Sequence, residues 1–131
     1  MKLFKDSALL RGKLEAGIRA VAENVASTLG PQGRNVILHQ KGKNPIVTKD
    51  GVTVAKFIDL EDDFENTGAQ IVKQAAEKTN QEAGDGTTTT TVLTYAMYRD
   101  AQKYLVAGAP PTDLKHGMEK AVGWLVKQVE E

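Results

Sequence analysis

Gly84-Asp85-Gly86-Thr87-Thr88-Thr89, just ahead of a helical run over 92–105, is the stretch that orders the reading of this 131-residue chain. It reads as a turn that opens a helix. Gly84 and Gly86 permit tight backbone and the unhindered approach of a ligand. Asp85 offers a short carboxylate at the mouth of the turn. The threonines combine hydroxyls with the unpaired N–H groups and positive dipole end of a starting helix, an arrangement that suits phosphate. A carboxylate beside phosphate donors would repel such a ligand. The conflict disappears if Asp85 holds a magnesium ion that bridges to the phosphate oxygens. An Asp or Thr N-cap with no ligand accounts for the same six residues, so the hexapeptide alone leaves both readings open.

The composition, 40% hydrophobic and 26% charged, is that of one ordinary globular domain. Its 17 basic and 17 acidic residues cancel, and no polybasic run occurs, so nothing points to nucleic acid or to an anionic membrane surface. The absence of cysteine excludes a disulfide framework and a thiolate metal site, and suits a reducing compartment. The start, Met1-Lys2-Leu3-Phe4-Lys5-Asp6, has no apolar core of signal-peptide length, and no run reaches transmembrane length. These features predict a soluble, unprocessed, cytoplasmic protein.

Outward from the glycine turn, the chain predicts four helices and one hairpin. Residues 1–5 read as a short extended arm. Asp6 or Ser7 caps a helix to about Thr28, with Leu10, Leu14, Ile18, Val21 and Val25 on one stripe. Gly12 and Gly17 each weaken that helix by up to ~1 kcal/mol relative to Ala, and close helix packing is one reason to tolerate them. Gly30 and Pro31 end it. The β-branched runs 34–39 and 45–48, around a polar turn, read as a hairpin in search of a neighbouring strand, with the arm at 2–5 as one candidate.

Lys49-Asp50-Gly51 is a second turn. The segment 52–57 alternates like a strand, yet six residues also fit one and a half helical turns. The acidic run Glu61-Asp62-Asp63 complements the start of a helix whose stripe is Phe64, Gly68, Ile71, Val72, Ala75 and Thr79. After the glycine turn, Val92, Leu93, Ala96, Met97, Ala101, Tyr104 and Leu105 read as a core stripe ending at Ala107-Gly108. Pro110-Pro111-Thr112 starts a last helix carrying Leu114, Met118, Val122, Leu125 and Val129, with Trp124 at its edge. His39 and His116 have no partner at metal-ligand spacing and read as ordinary polar residues.

Three turns could serve one ligand: 28–31, 49–51 and 84–89. Each has a glycine where backbone could approach phosphate, and together they carry one lysine and two aspartates.

Several segments resemble the group I, GroEL-type chaperonins in order and spacing. They are Thr28-Leu29-Gly30-Pro31-Gln32-Gly33-Arg34-Asn35-Val36, Thr48-Lys49-Asp50-Gly51-Val52, Leu60-Glu61-Asp62 with Phe64-Glu65-Asn66, Gly68-Ala69-Gln70, and Ala83 through Thr89. Similarity continues through Gly108 and Asp113-Leu114-Lys115 and so spans essentially the whole chain. Linked motifs at matched separations are far more specific than one glycine loop. The resemblance implies a mainly α fold, the long helices and small β-hairpin of a chaperonin equatorial domain. It also implies an ATP-driven folding machine built as a homo-oligomeric ring, acting on unfolded client proteins with or without a co-chaperonin.

By that resemblance, Asp85 would coordinate Mg2+, and Gly86, Thr87, Thr88 and Thr89 would hold the phosphates of ATP. Thr28, Leu29, Gly30 and Pro31 would line the nucleotide. Lys49 would sit near the terminal phosphates, and Asp50 would position the attacking water as the catalytic carboxylate of this segment. Backbone oxygens near Thr28 and Lys49, with a threonine hydroxyl, would host K+. Two positions depart from the family pattern. Gln32 stands where lysine is frequent, and Thr90 replaces the usual alanine.

The family's chain goes on to an intermediate and an apical domain before returning to complete the equatorial domain. This sequence closes on Lys127-Gln128-Val129-Glu130-Glu131, about where that excursion begins. Residues 1–131 are therefore expected to be the N-terminal portion of an equatorial domain. A second carboxylate from the intermediate domain, the rest of the adenine pocket and the client-gripping surface would lie outside it. The alternative is a short chaperonin-like module that binds nucleotide or joins a ring without ATPase or folding activity; an unrelated phosphotransferase would have to match the family along the whole chain. Removing residues 1–5 should lower the stability of an assembled ring more than it lowers helicity, as size-exclusion chromatography and circular dichroism would report. Rings as robust as the parent's would reduce the arm and hairpin to local structure.

Overall fold

Helix α1 (Ser7–Ala26) begins where the computed structural model begins to describe the chain, which it does for residues 7–131. The expected arm at 1–5 and the Asp6 cap lie outside the described residues. Then follow β1 (Val36–Leu38), β2 (Ile46–Thr48), α2 (Gly51–Phe57), α3 (Asp63–Ala83), α4 (Thr87–Val106) and α5 (Pro111–Glu130). The chain divides into two units, one running to Ala96 and one from Met97 to Glu131.

The first unit holds the core. Ile18, Val21, Ala22 and Val25 of α1 are buried with Val52, Val54 and Ala55 of α2, Ala69, Val72 and Ala76 of α3, and Leu38 of β1. Spacings of three and four residues along α1 and α3 put these side chains on one stripe of each helix. The centre of the α1–α3 packing is backbone against backbone. A methyl group on Gly17 would collide with the Glu65 carbonyl, and one on Gly68 with the Leu14 carbonyl. Gly12, by contrast, faces open space. Of the two glycines that weaken α1, only Gly17 is required by packing.

Caps set the remaining boundaries. Asp62 accepts hydrogen bonds from the Phe64 and Glu65 amides (3.0 Å each) and so caps α3. The same carboxylate receives Lys13 Nζ at 2.9 Å, tying the start of α3 to α1, with Glu65 3.7 Å from that ammonium. The acidic run thus caps α3 and ties it to α1 as well as complementing the helix start. Lys13 holds the Asp62 carboxyl below its usual range, assisted by the capping amides. Gly84 closes α3 in the left-handed conformation, φ 71°.

The ambiguous segment 52–57 is helical, so the described residues hold five helices where the sequence predicts four. Asp50 decides it: the side chain caps α2, and the burial of both Val54 and Ala55 breaks the two-residue alternation of a strand. The hairpin forms as expected, antiparallel, with Val36 opposite Thr48, Ile37 opposite Val47 and Leu38 opposite Ile46. Only Leu38 of these is buried.

The second unit comprises the last part of α4 and all of α5. Gly108 (φ 97°) ends α4, and Pro111 occupies the first turn of α5, where its missing N–H costs nothing. The stripes expected to be core are open. Met97 and Leu93 are exposed, Tyr104 is 61% and Trp124 62% exposed, and α5 has no buried residue. Met97, Leu105, Leu114, Met118 and Val122 line an apolar groove of about 520 Å³ instead. Ile71 of α3 is likewise exposed rather than core. A periodic apolar stripe is buried only where another element faces it, and no described element covers these residues.

The two α1 glycines give opposite expectations in urea unfolding. Gly17→Ala should destabilise by ~1–3 kcal/mol or more, because the added methyl must displace backbone. Gly12→Ala should stabilise by up to ~1 kcal/mol. Equal effects would mean that the helices do not meet at Gly17.

Candidate functional site

The three turns singled out in the sequence meet in one polar cleft of about 260 Å³, walled by 28–30, 49–51 and 85–89. Ten positions were expected to hold ligand or water, besides Asp50. Of these, Thr28, Leu29, Gly30, Lys49, Asp85, Gly86, Thr87, Thr88 and Thr89 line it, as does Asp50. Pro31 does not. It stands one residue past the left-handed Gly30 (φ 77°), where the chain has already turned away. Gly51, absent from the expected set, does line the cleft.

Each wall has a local cause. After α1, the Arg34 amide bonds the Ser27 carbonyl (2.8 Å) and the Gly33 amide the Gly30 carbonyl (3.0 Å), folding 27–34 into a tight loop. A side chain at Gly33 would strike the Thr28 carbonyl, so this loop needs glycine there. The Thr28 hydroxyl donates to the Val25 carbonyl at 2.7 Å and lies 3.4 Å from the Thr88 hydroxyl, joining the first wall to the third. A Cβ on Gly51 would strike that same Thr88 hydroxyl. The Lys-Asp-Gly signature was the sequence signal for this contact, since only glycine lets the start of α2 approach the start of α4.

The third wall is the beginning of α4. Its first helical bond runs from the Thr90 amide to the Gly86 carbonyl (2.9 Å), which leaves the Thr87, Thr88 and Thr89 amides without a helical acceptor. Asp85 does not cap them; its carboxylate accepts from the Gly86 amide, 2.7 Å away. Threonine hydroxyls deeper in the helix bond to backbone, Thr91 to the Thr87 carbonyl and Thr94 to the Thr90 carbonyl. Thr79 and Thr90 pair across α3 and α4 at 3.0 Å. The extra threonine at 90 therefore serves packing, one position beyond the cleft. Asp85 is therefore not the N-cap of α4.

Asp50 is held firmly. Its carboxylate accepts from the Thr53 amide (3.0 Å) and the Thr53 hydroxyl (2.6 Å), while its own amide donates to the Thr48 hydroxyl (3.0 Å). The Thr53 hydroxyl, against the opposing effect of partial burial, keeps the Asp50 carboxyl below its usual range, with the Thr53 and Val52 amides and Lys56 adding to it. Asp50 is thus a carboxylate at neutral pH. The stability it adds is complete above the unfolded value of ~3.9 and is lost as pH falls through the lower folded value. Sequence reasoning passed over Thr53, whose only signal was its place three residues after a capping aspartate.

With Lys49 opposed by Asp50 and Asp85, the cleft lined by unpaired amides carries more negative than positive side-chain charge. A polyphosphate would be repelled by that pair unless a divalent cation came with it. Magnesium fits this donor set, because it is usually held by one or two carboxylates plus phosphate oxygens and water rather than by an all-protein cage. No cluster of three or more His, Cys, Asp or Glu able to hold a metal occurs among the described residues. The volume lies just below the ~300–1,000 Å³ of whole-ligand pockets.

Comparison with known proteins finds relatives along most of the chain. The model of the TCP-1/cpn60 chaperonin family matches residues 21–131. The chain is 52% identical over 129 residues to the chloroplastic chaperonin GroEL of Trieres chinensis, covering 98% of this chain and 24% of that protein. The fold matches the crystal structure of chaperonin gp146 from bacteriophage EL 2 (Pseudomonas aeruginosa), obtained in the presence of ATP-BeFx. The TM-score is 0.75 at 32% identity, over 92% of this chain and 21% of the phage chain. The sequence thus spans about a quarter of the length of these relatives.

Thr53→Val should raise the Asp50 pKa toward ~3.9, whereas Thr53→Ser should keep it depressed. Carboxyl 13C shifts followed against pH report both. An unmoved titration in the valine variant would remove the hydroxyl as the cause.

Proposed function

This chain belongs to the TCP-1/cpn60 chaperonin family, and from that membership we propose that it is the ATP-binding, ring-contact segment of a chaperonin subunit. In this reading residues 1–131 are the N-terminal portion of an equatorial domain, and the complete protein assists the folding of unfolded clients in an ATP-driven homo-oligomeric ring, in the cytoplasm. The observation that supports it best is the meeting of three glycine-bearing turns around the unpaired amides of α4, opposite two carboxylates.

The residues divide the work of phosphoryl transfer by position and charge. The Thr87, Thr88 and Thr89 amides and hydroxyls bind phosphate oxygens, and Gly30, Gly51 and Gly86 keep the walls free of side chains where phosphate approaches. Lys49 offers its ammonium to the terminal phosphates. Asp85 would hold Mg2+, which when bound neutralises charge on the phosphate oxygens. Asp50, ionised and fixed by Thr53, accepts a hydrogen bond from the attacking water and orients it. The Thr28 and Lys49 carbonyls with the Thr88 hydroxyl, 3.4 Å from Thr28 Oγ1, would suit K+. Because transfer of a phosphoryl group needs positioned charge rather than covalent chemistry, this set supplies the phosphate contacts and one of the carboxylates for the reaction. Base recognition needs further walls, and efficient turnover needs a second carboxylate on the water.

In the complete ring subunit, Asp85→Ala should cut ATP turnover by about a hundredfold or more while circular dichroism stays unchanged. Phosphate release at wild-type rate in that variant would overturn the metal assignment. The isolated 131-residue chain, with an open cleft, should show no steady turnover with magnesium and potassium present. Turnover that disappears with Asp50→Ala would make this segment a self-sufficient ATPase.

A further inference from the structure

A second polar cleft, of about 410 Å³, opens elsewhere in the first unit and takes no part in the nucleotide reading. His39 and Gln40 after β1, Lys56 and Phe57 at the end of α2, Asp59, and Lys73 in the middle of α3 line it. Lys73 is the unusual member. It is only 8% exposed, yet its ammonium has no hydrogen bond or ion pair with any described residue. It is not sealed off either, since no buried side-chain nitrogen lacks a partner among the described residues. The ammonium therefore reaches the outside through the cleft that it lines.

Lysine stems commonly lie along apolar surface with the head in bulk water. Lys73 differs in that almost the whole residue is enclosed. An ammonium at such a depth needs oxygen atoms around it, because burial penalises an unpaired charge. Lys56, 3.6 Å from Glu77, adds a second cation to the wall, and His39 and Gln40 add side chains able to donate hydrogen bonds. Asp59 is the one carboxylate in the lining; it is exposed and makes no ion pair with either lysine, so water screens its charge. We propose that this cleft is an oxyanion site, taking a phosphate or carboxylate group on Lys73 with support from Lys56, His39 and Gln40.

The 15N-labelled chain titrated with inorganic phosphate, and separately with acetate, at constant ionic strength set by chloride, tests the site and distinguishes the two anions. Saturable amide shifts are expected at 39–40, 56–59 and 73 with at least one of them. Lys73→Met should weaken that binding at least about tenfold, the worth of one charge-assisted hydrogen bond. Lys73→Arg should preserve it. Shifts at 87–89 on adding magnesium together with phosphate, which report the nucleotide cleft, should survive Lys73→Met, so failure of either site is read separately. Shifts around 39–73 that persist unchanged in Lys73→Met would overturn the proposal. Should that variant lose helicity, the wild-type titration decides: no saturable shifts with either anion would equally overturn it.

Discussion

The close approach of α1 and α3 is the constraint on which the rest of the first unit depends. Gly17 against the Glu65 carbonyl and Gly68 against the Leu14 carbonyl leave no room for a single methyl group. At that separation Ile18, Val21 and Val25 are buried together with Ala69, Val72 and Ala76, the two alanines leaving room for the branched side chains. Lys13 on the Asp62 cap fastens the same pair of helices near the start of α3. The loop carrying Thr28 and Gly30 leaves the C-terminal end of α1, and the turn carrying Asp85 leaves the C-terminal end of α3. Fixing these helices therefore fixes two of the three walls of the cleft.

The cleft itself is built from conflict rather than complementarity. Free amides at the start of α4 attract anions, while Asp50 and Asp85 repel them. Neither carboxylate is spent on the amides: Asp85 turns to the Gly86 amide and Asp50 to Thr53. A protein that only needed to finish helix α4 would have used a serine or aspartate cap at this point. Leaving both kinds of group unneutralised makes sense when a metal-bound phosphate completes the set, which is the physical core of the functional reading.

The second unit shows the other face of the same packing rules. Its apolar stripes have the correct period and remain open, lining a groove instead of a core. In the first unit the comparable stripes are closed because helices distant in sequence meet them. The family relatives are about four times the length of this chain.

Helix ends, turns and the hairpin were determined by the sequence alone, because each depends on neighbours within a few residues. Gly30, Gly84 and Gly108 mark stops through positive φ, Pro111 a start, and Asp62 a cap. Most residues lining the cleft were also readable, since the glycine-bearing turns 28–31, 49–51 and 84–89 already stood out as able to serve one ligand. Tertiary structure decided the rest. Segment 52–57 became a helix because Asp50 caps it and α1 and α3 bury Val54 and Ala55. Gly17 is indispensable and Gly12 is not, a difference set by what lies across the helix. Pro31 falls outside the cleft and Gly51 inside it, because the approach of α2 to α4 depends on residues some forty positions apart. Periodicity states which face of a helix seeks a partner; only the fold states whether a partner is there.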